Sequence, residues 1–182
     1  MDTLNRRHAL SAILWSCIFA GMLSLTAKAA DPPEYQIKAL FILNFTKFVS
    51  WPQSAFESAA APLPICILGD DPFGNVIDQV VEGESVGGHK VTIERPRRGP
   101  VPKSCRVLFI SRSEKDVPAI ITSLGAGVLT VSDRDSFINE GGMIDLVIAD
   151  NRVRFDINQG AAIKASLMMS ARLLNVARYV FR

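Results

Sequence analysis

Short, almost wholly apolar runs constrain this chain most. Ile65-Cys66-Ile67-Leu68 and, after Arg106, Val107-Leu108-Phe109-Ile110 carry apolar side chains at consecutive positions, and Val128-Leu129-Thr130-Val131 is broken only by Thr130. A strand with one wet face alternates apolar and polar residues, so a continuous run predicts a strand covered on both faces. Helical stretches separate the runs. Asp71-Pro72 opens one, reaching about Val81, with the aspartate as cap and the proline at the first helical position. Another is expected from Ser113-Glu114 to about Leu124. Val91 to Glu94 adds a strand after Gly87-Gly88, and Met143 to Ala149 with Arg152 to Ile157 form a hairpin turning at Asp150-Asn151. Asn158 caps a closing helix through about Val176, with Ile163, Leu167, Met168, Ala171 and Leu174 on one side. The expected fold is a single α/β domain: a mainly parallel, Rossmann-like sheet flanked by helices, with a C-terminal hairpin and closing helix.

The first thirty residues bear on location. Arg6-Arg7, the apolar run Ala9 to Leu25 and Ala27-Lys28-Ala29 compose an n-region, h-region and cleavage site. They predict an export signal over residues 1–29, ahead of a domain over 30–182. A membrane anchor is the rival reading, but the run is marginal in length and diluted by Ala, Ser and Gly. Arg6-Arg7 hints at twin-arginine export, though its flanks fit poorly. Cys17 is not a lipoprotein cysteine, because Trp15 stands where a small residue is needed and the apolar run continues past it.

Charge and cysteine count narrow the function. The whole chain has 20 basic and 18 acidic residues, net +2. Removing Arg6, Arg7, Lys28 and Asp2 with the signal leaves 17 of each. A neutral domain without a basic stripe is a poor nucleic-acid binder, since phosphate contacts supply most of that affinity. After processing, Cys66 and Cys105 are the remaining cysteines. Two thiols in an exported protein pair as a rule, and parallel neighbouring strands would bring their starts within about 5 Å. The alternative is two reduced, buried thiols.

No pattern announces catalysis. Gly69 to Gly74 has phosphate-loop spacing at a strand–helix junction, but no Lys-Ser/Thr follows and Asp70 and Asp71 would repel phosphate. Asp70 and Asp71, with Asp133 and Asp135, could converge at the strands' carboxyl ends as a hard-cation or small-ligand site, although aspartates before helices usually cap them. His89 stands in a turn without a nucleophile or carboxylate in a known motif. No cofactor, metal or enzymatic activity is expected.

The helix Glu34 to Val49, stopped by Ser50-Trp51-Pro52, is apolar on more than one face. Phe45, Phe48 and Trp51 gather near its end and either join the core or meet a partner or second copy. Arg152 and Arg154 share one strand face, either solvated or anchoring an acidic partner.

Tyr35 to Ala39 through Asn44 to Pro52, Ile65 to Gly74, Cys105 to Ile110, Gly141 to Ile144 and Arg152 to Asn158 together resemble the YfiR family, in order and across the domain. The resemblance implies a periplasmic repressor. It would contact the periplasmic domain of an inner-membrane diguanylate cyclase of the YfiN type, lowering cyclic di-GMP and biofilm formation. An outer-membrane lipoprotein of the YfiB type would sequester it. The resemblance further implies a homodimer and two disulfides. Cys66 and Cys105 match the first bridge, whereas residues 141–158 hold no cysteine for the second. The other reading is a periplasmic small-ligand binder using the cleft near Asp70, Asp71 and Asp133.

Overall fold

The computed structural model describes residues 34–96 and 100–182. The expected export signal lies outside them. In chain order the elements are α1 (Glu34–Phe48), β1 (Val49–Ser50), a single 3-10 turn (Gln53–Ala55), β2 (Leu63–Leu68), α2 (Val76–Val81), β3 (Ser85–Val86), β4 (His89–Glu94), β5 (Val107–Ile110), α3 (Val117–Ser123), β6 (Leu129–Ser132), β7 (Ile144–Ala149), β8 (Arg152–Asn158), α4 (Gln159–Lys164), β9 (Met168–Met169), α5 (Ala171–Val176) and β10 (Val180–Phe181).

The large sheet runs β10-β8-β7-β6-β5-β2-β4-β3. Strands β4, β2, β5, β6 and β7 are mutually parallel, β8 returns antiparallel to β7, and β3 lies antiparallel to β4 at one edge. As the apolar runs demand, β2, β5 and β6 are buried throughout. One face presents Ile65, Ile67, Val107, Phe109, Leu129 and Val131 to α1 and α2. The other presents Cys66, Leu68, Leu108 and Ile110 to Val117 of α3 and to Phe137. The mainly parallel α/β fold read from the sequence is the observed one.

Helix α1 accounts for its own apolar excess. It contacts α2, α5 and β8. Gln36, Leu40, Asn44 and Lys47 form its exposed stripe, spaced four, four and three residues apart. Phe45 is 1% exposed. It packs edge-on against Phe155 at 5.0 Å, while Phe41 meets the same ring at 5.5 Å. The excess apolar surface therefore faces three neighbouring elements of the same domain.

Three helix boundaries differ from expectation. Asp71 Oδ1 accepts from the Phe73 and Gly74 N–H groups at 2.7 and 3.2 Å, capping a turn. Gly74 then takes φ +53°, off the helical path, and α2 starts only at Val76. Helix α3 starts at Val117, where Asp116 accepts from Ala119 N–H at 3.2 Å and Pro118 occupies the first turn. The closing helix is two helices. Asn158 caps α4 as expected, through Ala161 N–H at 2.9 Å. Ser166 then adopts φ +60°, and Met168-Met169 pair with Val49-Ser50 as β9 against β1. Ser170 begins α5 by accepting from Leu173 N–H at 3.2 Å. The interruption scatters the side expected to be apolar: Leu167 is buried, whereas Ile163 and Met168 are exposed.

The hairpin turn is as expected. Asp150 and Asn151 sit at φ +50° and +56°, the left-handed pair that a two-residue turn between twisted strands requires.

Candidate functional site

In an open parallel sheet, ligands enter where the strand order reverses, outside the carboxyl ends. Here the reversal falls between β2 and β5, flanked by Gly69-Asp70-Asp71 and Ser111-Arg112-Ser113. The two loops pack closely on each other there. A Cβ on Gly69, whose φ is +88°, would lie 2.5 Å from Ser113 Oγ and 2.9 Å from Glu114 Oε1. Ser113 Oγ also accepts from Asp70 N–H at 2.9 Å, tying the two loops together.

The aspartates expected to converge there separate instead. Asp71 pairs with Arg95 at 2.7 Å, and the same guanidinium reaches Asp78 at 2.6 Å, holding the Asp78 carboxyl below its usual range. Asp70 and Asp135 are exposed. Asp133 turns under α1, where it is 3% exposed. Its Oδ2 accepts from Lys38 Nζ at 2.6 Å and from Tyr35 OH at 2.9 Å, and its Oδ1 faces Arg112 Nε at 3.3 Å. Burial pushes the Asp133 carboxyl up, but Lys38, Tyr35 and Arg112 outweigh it and hold the group below the usual carboxylate range. Burial and the Asp133 hydrogen bond push the Tyr35 phenol up to about 12. Lys38 is fully buried, with Glu34 one turn earlier as its second partner. This cluster ties the start of α1 to the end of β6. Among the described residues no group of three or more His, Cys, Asp or Glu is placed to hold a metal ion.

A second acidic pair lies on the hairpin. Asp145 and Asp156 stand directly opposite in the β7–β8 ladder, each 6% exposed. Arg178 grips Asp156 at 2.6 and 2.9 Å. Asp145 Oδ1 has no hydrogen-bond partner among the described residues. Burial first, then the Asp156 charge, push the Asp145 carboxyl up to about 7.

Cys66 and Cys105 are joined by a disulfide, with Cα atoms 6.0 Å apart and both residues fully buried. Cys66 lies within β2 and Cys105 just before β5, the parallel neighbour, so the bridge crosses adjacent strands at the reversal point.

The residues considered for partner contact have separate fates. Phe45 belongs to the core. Phe48 and Trp51 are half-buried and pack against the core edge. Trp51 also lines a groove of about 570 Å³ with Pro52, Phe56, Leu63 and His89. Its indole N–H has no partner among the described residues. His89 stacks on Phe56 at 3.7 Å and donates from Nδ1 to the Ala61 carbonyl at 2.7 Å. Arg152 and Arg154 are exposed on β8, across the sheet from this groove in the strand order.

A family model described as YfiR/HmsC-like matches residues 35–178. That span runs from the first turn of α1 to Arg178, leaving out Glu34 and the last four of the described residues. The chain belongs to the YfiR/HmsC-like family. Membership agrees with the resemblance carried by the separate sequence blocks. Within this YfiR/HmsC-like fold the blocks have physical roles: Tyr35 and Lys38 build the buried ion cluster, Cys66 and Cys105 the disulfide, and Gly142 the space for Phe137. Lys38, Asp145, Asp156 and Arg178 are the polar residues that the sequence reading missed. Among the described residues no helix is long and apolar enough to cross a membrane.

Proposed function

We propose that this protein is a non-enzymatic periplasmic regulator. After export and removal of residues 1–29 it binds the periplasmic sensor domain of an inner-membrane diguanylate cyclase and represses it, lowering cyclic di-GMP and biofilm formation. The observation that carries this reading is the YfiR/HmsC-like family match over residues 35–178. The geometry supports it. At the crevice where an α/β fold would hold a substrate, Ser113 and Glu114 pack against Gly69. Lys38 with Asp133, Arg95 with Asp71, and Arg178 with Asp156 are committed to ion pairs within the fold. Surface remains for contact with another protein at Phe48, Trp51, Arg152 and Arg154. An outer-membrane lipoprotein that sequesters the repressor, and a homodimer, complete the proposed circuit.

The deciding experiment is cellular cyclic di-GMP in a strain lacking the gene, against its parent and a complemented strain. A rise in the deletion strain, reversed by complementation, is expected. Equal levels across growth conditions would overturn the reading.

A further inference from the structure

Strand β8 is the last long strand on its side of the sheet, and β10 covers only part of its outer edge. Val180 lies beside Ile157 and Phe181 beside Asn158. The two-residue turn makes Ala149 and Arg152 a hydrogen-bonded pair. Arg152, Arg154 and Asp156 therefore direct their backbone groups to β7, and Val153, Phe155 and Ile157 direct theirs outward. The contacts follow this parity. The Phe155 carbonyl accepts from Arg178 N–H at 2.8 Å, and Ile157 N–H donates to Tyr179 at 2.9 Å. Ahead of that point, the Val153 N–H and C=O and the Phe155 N–H meet no further strand among the described residues. An unpaired row of this kind is a template for another strand.

The side chains around this row say what it would accept. Arg152 and Arg154 stand exposed on one face. On the other, Val153 and Phe155 are 8% and 4% exposed and belong to the core, so the arginine face is the one open to a partner. Asp156, on the arginine face, is already held by Arg178. Neither Arg152 nor Arg154 has a carboxylate within salt-bridge distance among the described residues.

We propose that the Arg152–Phe155 edge of β8 docks an extended acidic segment of the partner protein. That segment adds a strand in line with β10, its carboxylates facing Arg152 and Arg154. The inference rests on the regulator reading above and names the surface and the partner chemistry. A second copy of this chain fits poorly. Antiparallel pairing centred on Val153 sets each Arg152 across from the other copy's Arg154, and centring on Arg154 sets that residue across from itself. Like charges directly opposite destabilise a strand pair.

The test returns three forms of the full chain to the deletion strain: the parent sequence, Arg152→Glu/Arg154→Glu, and a control, Lys164→Glu/Arg172→Glu, which reverses two exposed charges elsewhere. Cyclic di-GMP is measured in each. The edge variant should leave it near the deletion level, while the control restores the parental level. Purified edge variant should melt within about 2 °C of the parent, because exposed substitutions rarely alter stability. Full repression by the edge variant, alongside a clear deletion phenotype, would overturn the docking edge and leave the regulator reading standing. Absence of a deletion phenotype would overturn that reading itself. If sedimentation velocity shows that charge reversal splits a dimer, the edge serves a second copy and the acidic-partner inference fails.

Discussion

Lys38 ties the first turns of α1 to the end of β6. A lysine is rarely fully buried unless paired, and here the pair with Asp133 spans 95 positions of sequence. Removing one partner of a buried pair strands the other charge, which costs more than the pair contributes. Lys38→Met should therefore lower stability by about 3 kcal/mol. Lys38→Met/Asp133→Asn should lose less than the two single variants together, measured by urea unfolding as a double-mutant cycle. Asp145 makes the opposite prediction. Its carboxyl is raised to about 7 from an ordinary 3.8. Between those values the folded chain keeps a proton that the unfolded chain releases, so stability falls as pH rises through the window. The slope is at most about 1.4 kcal/mol per pH unit. Asp145→Asn removes that loss, so its melting temperature should exceed the parent's at pH 8 and approach it at pH 4. A parent that is equally stable at pH 4 and pH 7, after matching for other titrations, would contradict the assignment. Neither residue was legible in the sequence. Glu34 and Lys38 at i and i+4 read as a solvated helix pair. Asp145 reads as the polar member of a half-exposed strand, and the partners that decide both arrive from distant elements.

At the scale of elements, legibility followed the range of the interaction that fixes each boundary. Strands β2, β5 and β6 were readable because burial on both faces leaves a local apolar run, and the hairpin because Asp150-Asn151 is a local turn signal. The closing helix was not. Its interruption comes from β9 pairing with β1, more than a hundred residues away, while the periodicity of residues 158–176 looks helical throughout. Ser170, which caps α5, was the local clue. Among the described glycines, Gly142 leaves the least room for a side chain. Gly141 takes φ +94°, and a Cβ on Gly142 would lie 2.2 Å from the Phe137 ring, itself fully buried beneath β5 and β6. The ring cannot retreat into a filled core, so Gly142→Ala should cost about 1–3 kcal/mol. In a Phe137→Leu background the same substitution should cost clearly less, since the smaller side chain leaves room. Thermal melts of the four proteins give the coupling directly, and additive effects would show that the loop relaxes around the methyl group.

For the whole molecule, the disulfide joins the two strands at which the sheet reverses direction, so it ties the β2–α2–β4 side of the chain to the β5–β6–β7 side. The bridged residues are separated by 39 positions. On the chain-entropy account such a closure stabilises by about 4 kcal/mol, which is comparable to the net stability of many domains of this size. Cys66→Ala/Cys105→Ala should therefore unfold at markedly lower urea than the parent, and repression in the cell should fall with the amount of folded protein rather than with any change at the β8 edge. Both bridged residues are 0% exposed, beneath α3 and Phe137. A thiolate must reach a sulfur to exchange with it, so reduction has to wait for the sheet to open. Native protein should resist dithiothreitol for hours and become reducible only as urea approaches the unfolding midpoint. Rapid reduction without denaturant would mean that the β2–β5 region opens independently. The bridge would then respond to the redox state of its surroundings.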